Sequence, residues 1–425
     1  MEIFNKFESK VRSYSRVFPR VFTRAEREFM WDDNGNQYLD FFSGAGSLNY
    51  GHNNPILKDK LLSHIKNNQV TQSLDLHTTA KASFLQSLNN TILAPRNLQY
   101  KVQFTGPTGT NAVEAAFKIA RSVTGRKNIV AFTNGFHGMT LGSLAATGND
   151  YYRSAAGVSL SNLSHLPYDG YLGEAIDTTR YIEKLLTDPG SGLDLPAAVI
   201  VEAIQGEGGC NAASVKWLRN LQALCKRHNI LVIVDDIQAG CGRSGDFFSF
   251  EAAGIEPDII AMSKSISGYG LPMAVVLMKP ELDQWKPGQH NGTFRGNNMA
   301  FVTAEAAINH YWSDTAFANQ IKRKGEYIGQ RLRDIASCYD AGISTKGRGM
   351  FRGLNCGSGE IAKQVNRVAF DNQLILETCG AHDEVVKIFC PLTISDESLK
   401  AGMDIIESAV KLVMNQRDPA EIVLN

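Results

Sequence analysis

Residues 230–236 read ILVIVDD, and residues 258–264 read DIIAMSK. Each stretch is a run of apolar residues that ends in polar or charged side chains. Strands that are apolar on both faces are typical of a parallel sheet covered by helices. The segment before the first strand, residues 215–229, carries its apolar side chains at helical spacing. We therefore predict an α/β fold in which strands and helices alternate.

The same alternation extends over most of the chain. Short segments that contain apolar residues predict further strands, and helical spacing of apolar residues predicts a helix after the first of them. These strands are expected at 101–105, 128–133, 196–204 and 273–278, and the helix at 111–123. Together these elements predict one mainly parallel sheet in a large domain.

The two ends of the chain predict a second, smaller α+β domain. Shorter strands alternate with helical stretches in the C-terminal part, and residues 31–44 (WDDNGNQYLDFFSG) carry a hairpin signature. We assign residues 1–50 and 306–425 to this small domain and residues 51–305 to the large one.

The composition is that of a globular protein with a large core. The chain has 425 residues, of which 43 % are hydrophobic, and 43 basic side chains balance 43 acidic ones. This balance gives no global attraction to nucleic acid or anionic lipid. Seven cysteines without a C-x-x-C pattern favour a reducing compartment, and no apolar signal or membrane-length segment is present. We expect a cytoplasmic, metabolic protein with small-molecule substrates and without nucleic-acid or membrane partners.

Two strand ends carry residues that suit one cofactor. Asp235 follows one apolar strand and Lys264 ends the next. A lone strand-end aspartate is usually a cap, but here a strand-end lysine accompanies it. Burial favours the free-amine form of lysine, which forms Schiff bases, and an acid beside a pyridine nitrogen keeps it protonated. The pair therefore suggests pyridoxal 5'-phosphate (PLP).

Two further segments fit the same cofactor. Residues 104–116 (FTGPTGTNAVEAA) are a strand end, a Gly/Thr-rich turn and a helix start, where free N–H groups attract phosphate. Phe136 follows another strand and is suited to stacking on a flat ring. Taken singly, the turn is more often only a turn, and Phe136 is more often part of the core.

Taken together, these blocks resemble the class-III (ω-) aminotransferases. The resemblance covers nearly the whole chain, from residue 41 to residue 394. It implies the fold-type I architecture of PLP enzymes, with a mainly parallel seven-stranded sheet, and a homodimer or higher homo-oligomer with active sites at the subunit interface. Six blocks carry it in the family's order: GPTGTNA (106–112), FHG (136–138), EAIQGEGG (202–209), DDIQAG (235–240), Lys264 and GTF (292–294).

The resemblance also implies roles for individual residues. Lys264 matches the Schiff-base lysine, and Asp235 matches the partner of the pyridine nitrogen. The remaining cofactor-binding set is Phe136 and Ile237 on the two faces of the ring, Gln238 near the ring hydroxyl, the N–H groups of Gly109 and Thr110 at the phosphate, Thr293 from the neighbouring subunit, and His137 and Glu202.

Several positions depart from the common family pattern. Most relatives have Glu where Asn111 and Asp236 stand, and several have Arg where Met139 stands. The C-terminal arginine of the family is replaced by Lys387, and Cys390 replaces a proline. Because of these departures, the sequence does not decide which residues bind the substrate carboxylates.

The blocks are most similar to one subgroup, the L-2,4-diaminobutyrate:2-oxoglutarate 4-aminotransferases of ectoine biosynthesis. This similarity implies that L-glutamate donates its amino group through PLP to L-aspartate 4-semialdehyde, giving L-2,4-diaminobutyrate and 2-oxoglutarate. It also suggests a potassium requirement, although no ion can be placed, and we expect no other metal.

The substrate residues have two interpretations. In the first, Glu207 and Lys387 stand where relatives use a Glu–Arg switch, and Met139 avoids repelling the substrate ammonium. In the second, Lys387 is a solvated strand-end charge and another arginine, such as Arg295, binds the carboxylates. Both interpretations stay open at this stage.

Other functions remain as alternatives. The nearest is a diaminobutyrate transaminase of a siderophore or polyamine route, or another ω-aminotransferase. An aminomutase or racemase shares the scaffold but consumes no external keto acid. A dehydrogenase is disfavoured because no G-x-G-x-x-G follows an early strand. No metal-ligand spacing surrounds His52, His137 and His290, which favours hydrogen-bonded structural roles.

Overall fold

The N-terminal segment begins with short helices and continues as an antiparallel sheet. The structure, a computed structural model, describes residues 2–339 and 342–416. The elements are α1 (Glu2–Phe7), α2 (Tyr14–Val17), β1 (Phe22–Glu26), β2 (Phe29–Asp32), β3 (Gln37–Asp40) and the tight turn α3 (Ser43–Gly46). Strands β2 and β3 form the predicted hairpin, in which Met30 pairs with Tyr38. The Asp32 carboxylate stabilises its turn by accepting from the N–H groups of Asn34 and Asn36.

The central part forms one seven-stranded sheet. Its strands are β4 (Lys101–Phe104), β5 (Ile129–Phe132), β6 (Leu163–Leu166), β7 (Ala198–Val201), β8 (Leu231–Asp235), β9 (Ile259–Met262) and β10 (Val275–Met278). The strand order is β4-β10-β9-β8-β7-β5-β6, and β10 pairs antiparallel with both of its neighbours. The prediction of a mainly parallel seven-stranded sheet is confirmed.

Helices cover both faces of this sheet. They are α4 (Pro55–Lys66), α5 (Thr79–Ser87), α6 (Gly109–Thr124), α7 (Leu141–Ala146), α8 (Asp150–Arg153), α9 (Thr178–Thr187), α10 (Val215–Arg227) and α11 (Asn298–Tyr311). Helix α6 buries Val113, Ala116, Phe117 and Ala120, the apolar face that its sequence predicts. Strands β5, β7, β9 and β10 are buried along their whole length, which places the core between sheet and helices.

The C-terminal part adds one four-stranded sheet, one strand of the N-terminal sheet and three helices. Its elements are α12 (Ala316–Ser337), β11 (Ser344–Arg348), β12 (Phe351–Asn355), α13 (Gly359–Asp371), β13 (Leu374–Ile375), β14 (Glu377–Cys379), β15 (Val385–Ile388) and α14 (Asp396–Asn415). One sheet has the order β11-β12-β15-β14. Strand β13 instead pairs with β3, so the two ends of the chain share a sheet. The predicted boundary at residue 305 falls inside α11, and we propose the division at residues 312–315.

Strand β6 has no counterpart among the predicted elements. Its sequence, LSHL, has only two apolar residues, and only Leu166 is fully buried because β6 lies at the sheet edge. It therefore lacks the continuous apolar run that reveals β5, β7, β8, β9 and β10. Within the described residues, no helix combines the length and the apolar character needed to cross a membrane.

Candidate active site

Asp235 lies at the carboxyl end of β8, where it contacts a buried histidine. Its Oδ2 lies 2.8 Å from His137 Nδ1, and its Oδ1 accepts from the Ile237 N–H at 3.2 Å. Burial opposes protonation of His137, but the hydrogen bond and charge of Asp235 outweigh it and raise the pKa of His137. The carboxylate is thereby held in one orientation at the sheet edge.

Asp236 points away from that contact. Its carboxylate accepts from the backbone N–H of Ser249 at 3.2–3.3 Å and is 1 % exposed. Burial raises the pKa of Asp236 to about 7. The two neighbouring acids therefore occupy different surroundings, as expected where successive side chains leave a strand on opposite sides.

Lys264 begins a single 3₁₀ turn, Lys264–Ser267, just after β9. Its φ angle of +52° lies in the left-handed region, which is uncommon for residues with a Cβ and often found at functional positions. The Nζ atom donates to the carbonyl oxygen of Ala45 at 2.7 Å. Burial lowers the pKa of Lys264. This shift favours the neutral amine, the nucleophilic and basic form of lysine.

The start of helix α6 faces Ile237, two residues after Asp235. A Cβ on Gly109 would lie 2.9 Å from Ile237 Cδ1, so the absence of a side chain allows this close approach. The first N–H groups of a helix have no acceptor within the helix, which makes the N–H groups of Gly109 and Thr110 available to an anion. The Thr110 hydroxyl lies 2.6 Å from the hydroxyl of Thr140.

Glu202 and Phe136 meet near Asp235. Glu202 accepts from the N–H groups of Phe136 at 3.0 Å and Gly206 at 3.1 Å. Burial raises the pKa of Glu202 to about 7, and the nearby Asp235 adds to the effect. The Phe136 ring is only partly buried and packs edge-on against Tyr152, with ring centroids 5.5 Å apart.

Glu207 and Lys387 form an ion pair, with Lys387 Nζ 3.0 Å from Glu207 Oε1. Lys387 is fully buried, so the interpretation of this residue as a solvated strand-end charge is wrong. A second carboxylate, Glu377, lies 2.8 Å from the same Nζ and in turn accepts from the Tyr14 hydroxyl at 2.8 Å. Burial opposes the charge on Lys387, but Glu207 and Glu377 raise its pKa well above the usual value.

Gln238 connects this ion pair to Lys264. Its Nε2 donates to Glu207 Oε1 at 3.2 Å and to the Ala45 carbonyl at 3.1 Å, the same carbonyl that Lys264 contacts. The chain therefore brings together a strand-end acid, a buried lysine, an anion-binding helix start and a carboxylate–ammonium pair.

Three predicted residues lie apart from this cluster in the single chain. Arg295, predicted as an alternative partner of the substrate carboxylates, pairs with Asp75 at 2.6 Å. Met139 is 49 % exposed. Thr293 is exposed, and its carbonyl accepts from the side chain of Gln72. Their predicted roles stay predictions.

The other histidines make local contacts. His52 Nε2 lies 2.7 Å from Asp40 Oδ2, and His290 Nδ1 lies 3.2 Å from Lys118 Nζ. Across residues 2–339 and 342–416, no group of three or more His, Cys, Asp or Glu side chains is arranged to hold a metal ion.

Comparison with known proteins identifies the family. The family model described as aminotransferase class-III matches residues 11–410. The chain belongs to the class-III aminotransferases. This assignment makes it a transaminase and makes PLP the expected cofactor.

Curated relatives of this class-III aminotransferase agree over the full length. A protein from Bordetella parapertussis is 56 % identical over 100 % of this chain and 98 % of its own length. Relatives from Vibrio parahaemolyticus and Halomonas elongata are each 55 % identical, over 97 % and 96 % of this chain and 98 % of their own lengths. All three are named diaminobutyrate–2-oxoglutarate transaminase.

Solved structures show the same fold. The ornithine aminotransferase of Toxoplasma gondii, whose structure was described with partial occupancy of PLP, superposes with a TM-score of 0.85 at 24 % identity. The match covers 98 % of this class-III aminotransferase and 94 % of that protein. An aminotransferase from Bacillus anthracis superposes with a TM-score of 0.86 at 22 % identity, over 97 % of each chain. The fold-type I prediction is thereby confirmed.

The residues present fit PLP. Gln238 Oε1 is buried and has no hydrogen-bond partner in the described part of the chain, so it is available to a polar group of a ligand. Lys264 offers an amine of lowered pKa, Asp235 a carboxylate and Gly109 a helix-start N–H group. These four groups match a ring hydroxyl, an aldehyde carbon, a ring nitrogen and a phosphate in chemical type.

The sequence of this class-III aminotransferase does not predict two residues of the cluster, Tyr14 and Glu377. Tyr14 and Glu377 are 363 residues apart, and their contact depends on how the N-terminal helix meets the small sheet. The sequence gives one weak indication of the contact between Glu377 and Lys387. The short strands at 377–379 and 385–388 carry one acidic and one basic residue, respectively. Only the strand pairing shows that these charges face each other.

Proposed function

We propose that this enzyme transfers the amino group of L-glutamate to L-aspartate 4-semialdehyde, giving L-2,4-diaminobutyrate and 2-oxoglutarate. The observation that carries the proposal is the agreement of three relatives named diaminobutyrate–2-oxoglutarate transaminase, which are 55–56 % identical over 96–100 % of the chain. The motif blocks favour ectoine biosynthesis over a siderophore or polyamine route as the pathway.

The cofactor end of the proposed site performs the proton chemistry. When bound, PLP supplies an electron-withdrawing ring that stabilises negative charge on the substrate carbon. Lys264 Nζ, with its lowered pKa, would remove a proton from that carbon and return it at the neighbouring position. Asp235, held by His137, would keep a proton on the ring nitrogen.

The remaining cofactor residues would bind and orient. Gly109 and Thr110 would hold the phosphate through their N–H groups. Phe136 and Ile237 would flank the ring, and Gln238 would contact its hydroxyl. The support is that Ile237 packs against Gly109 and that Gln238 Oε1 is unpartnered within the described residues.

The substrate end would distinguish the two substrates. Glutamate carries a second carboxylate, for which the buried ammonium of Lys387 is suited once Glu207 moves aside. The semialdehyde has no second carboxylate, so the closed Glu207–Lys387 pair would suit it. Met139 is uncharged and exposed to solvent. It would therefore not repel the substrate ammonium, as an arginine at this position would.

We also propose that the enzyme is a cytoplasmic homodimer. Thr293 and Phe294 support a second subunit at the active site, because both are exposed in the single chain, Phe294 to 69 %. Thr293 would then reach the phosphate of the neighbouring subunit. The seven free cysteines are compatible with a reducing compartment. The expected potassium requirement belongs to the same proposal, without an assigned site.

A coupled assay tests the reaction. Purified enzyme with PLP is given L-2,4-diaminobutyrate and 2-oxoglutarate, and glutamate is measured, with ornithine and 4-aminobutyrate as competing donors. We expect diaminobutyrate to give the highest kcat/KM. Preference for another ω-amine would overturn the substrate assignment, and turnover without an external keto acid would indicate an aminomutase. Omitting potassium in a sodium buffer tests the ion requirement.

A further inference from the structure

Lys387 is held by two carboxylates that differ in freedom to move. Glu377 is its direct cross-strand neighbour, paired with it between β14 and β15, and is only 4 % exposed. Glu207 comes from the loop after β7 and its side chain is 22 % exposed. Directly opposed residues of antiparallel strands project from the same face, so the Glu377 contact is built into the sheet. The Glu207 contact is not.

The surroundings of Lys387 require that an anionic partner stays beside it. Its Nζ lies 5.1 Å from the ring centroid of Phe389 and 6.0 Å from that of Phe351. An ammonium between aromatic rings and away from water is stable only with anionic partners, and without them it tends to lose its proton. If Glu207 leaves, Glu377 is the carboxylate that remains within reach.

Glu377 is itself fixed in position. Its Oε2 lies 2.8 Å from Lys387 Nζ in an ion pair, and its Oε1 accepts a hydrogen bond from the Tyr14 hydroxyl. The Tyr14 ring packs against Phe42, with centroids 4.7 Å apart, which orients the hydroxyl. The N-terminal helix α2 thus reaches the substrate end of the site through one hydrogen bond.

We propose that Glu377, oriented by Tyr14, is a positioning residue that keeps the Lys387 ammonium charged and aimed at the cleft when Glu207 moves aside for a substrate carboxylate. The ligand class is a dicarboxylate with the spacing of glutamate or 2-oxoglutarate. This inference rests on the proposed function, because it assumes that a dicarboxylate is one of the two substrates. It adds a second acid and a tyrosine from the N-terminal segment to the substrate site.

The inference predicts separate effects on the two half-reactions. Glu377→Gln keeps the size of the side chain and an oxygen for Tyr14, but removes the charge that remains when Glu207 leaves. We expect KM for glutamate to rise about tenfold or more, the lower range for losing a charged hydrogen bond. The reaction with diaminobutyrate should stay within about threefold of wild type, because that half-reaction uses the closed pair.

The pH dependence of kcat/KM distinguishes loss of the Glu377 charge from a general loss of fold stability. The titratable groups near Lys387 in the described part of the chain include Glu207, Glu377, Cys210, Cys379, Tyr14 and Lys264, and the two carboxylates raise its pKa. Removing the charge of Glu377 lowers that pKa, so the ammonium is lost at lower pH. In Glu377→Gln, kcat/KM for glutamate should therefore fall as pH rises, at a lower pH than in wild type.

A binding measurement separates the inference from catalysis. Glutarate is a dicarboxylate without an amino group, so it can occupy the site without reacting, and butyrate is its monocarboxylate control. Calorimetry on the PLP-loaded enzyme should show glutarate binding weakened about tenfold in Glu377→Gln, with butyrate binding unchanged. Tyr14→Phe should shift both KM for glutamate and glutarate affinity in the same direction by about three- to tenfold.

The controls make each outcome decisive. Glu360→Gln changes an exposed acid on α13 and should match wild type throughout. Equal losses in both half-reactions, or unchanged glutarate binding in both Glu377→Gln and Tyr14→Phe, would overturn the inference. If wild type itself does not use glutamate, the proposed function fails, and the glutarate titration still tests whether Glu377 supports a dicarboxylate site.

Discussion

The two ends of the active site are built in different ways. At the cofactor end, Asp235 is the last residue of β8, and Lys264 lies two residues after the end of β9. At the substrate end, Lys387 and Glu377 face each other across two strands of the small sheet, and Tyr14 comes from the N-terminal segment. The first end depends on local sequence, and the second depends on the meeting of distant segments.

This difference shows which end of the site can change its substrate specificity while the enzyme keeps its ability to transfer amino groups. The carboxyl ends of strands in an α/β sheet converge on one ligand site, so the cofactor end is fixed by the fold. The substrate end combines a loop, a small sheet and a helix, and its charges can be exchanged while the large sheet stays intact. We expect substitutions at the cofactor end to stop both half-reactions, and those at the substrate end to affect one.

Lys264→Ala should produce the largest effect. The protein should still bind PLP weakly but lose nearly all turnover in both half-reactions, about 10⁴-fold for a residue that acts as nucleophile and base. In the wild type, borohydride reduction should attach the cofactor permanently to Lys264. Peptide mapping should then find the cofactor on the peptide that contains this residue. The exposed Lys216→Ala serves as control, and normal turnover of Lys264→Ala would remove the mechanism.

Asp235→Asn should rank next. An amide cannot balance a protonated ring nitrogen, so we expect kcat to fall about 10²- to 10³-fold, the range for losing one preorganised electrostatic group. Asp236→Asn is the matched control, because its amide oxygen can still accept from the Ser249 N–H. Steady-state kinetics of both variants decide the assignment, and a larger loss in Asp236→Asn would reverse it.

Thr293→Ala should weaken cofactor retention without touching proton transfer. Loss of one hydrogen bond to a charged phosphate, about 1.5–3 kcal/mol, corresponds to roughly ten- to hundredfold weaker PLP binding. Thr293→Ser keeps the hydroxyl and should behave as wild type. Dialysis followed by absorbance measurement checks both, and equally tight retention by Thr293→Ala would show that the contact between subunits is not made.

The buried Asp236 predicts a pH-dependent stability difference. Burial raises its pKa from 3.8 to about 7, so the folded state holds a proton that the unfolded chain releases between these values. Stability therefore falls as pH rises through this window, by at most about 4 kcal/mol at 1.36 kcal/mol per pKa unit.

Asp236→Asn cannot ionise and should avoid that loss. Its thermal midpoint relative to wild type should rise between pH 5 and pH 8, whereas the exposed Asp59→Asn should show no such trend. A constant difference at both pH values would mean that Asp236 is not a buried, protonated acid near neutral pH.

Much of the fold can be predicted from the sequence, for identifiable reasons. Five of the seven strands of the large sheet contain continuous apolar runs, whereas the edge strands β4 and β6 each have two polar residues in four. Of these two edge strands, only β4 is predicted, as part of the strand, turn and helix at 101–123. The cluster of Asp235, Gln238 and Lys264 is visible because short strand-end motifs determine it. The burial of Lys387 between Glu207 and Glu377 is not visible, because it results from strand pairing and loop placement.

The half-reaction kinetics of Lys387→Met test the division between the two ends most directly. Methionine has a similar length and no charge, and Met139→Arg provides the opposite change by adding a cation. We predict that Lys387→Met slows the glutamate half-reaction by about 100-fold, the upper range for losing a charged hydrogen bond, and slows the diaminobutyrate half-reaction by less than about tenfold, because that substrate loses only the closed Glu207–Lys387 pair and no direct contact of its own. Met139→Arg should chiefly impair the diaminobutyrate half-reaction. Equal loss in both half-reactions of Lys387→Met, or none in either, would contradict the account.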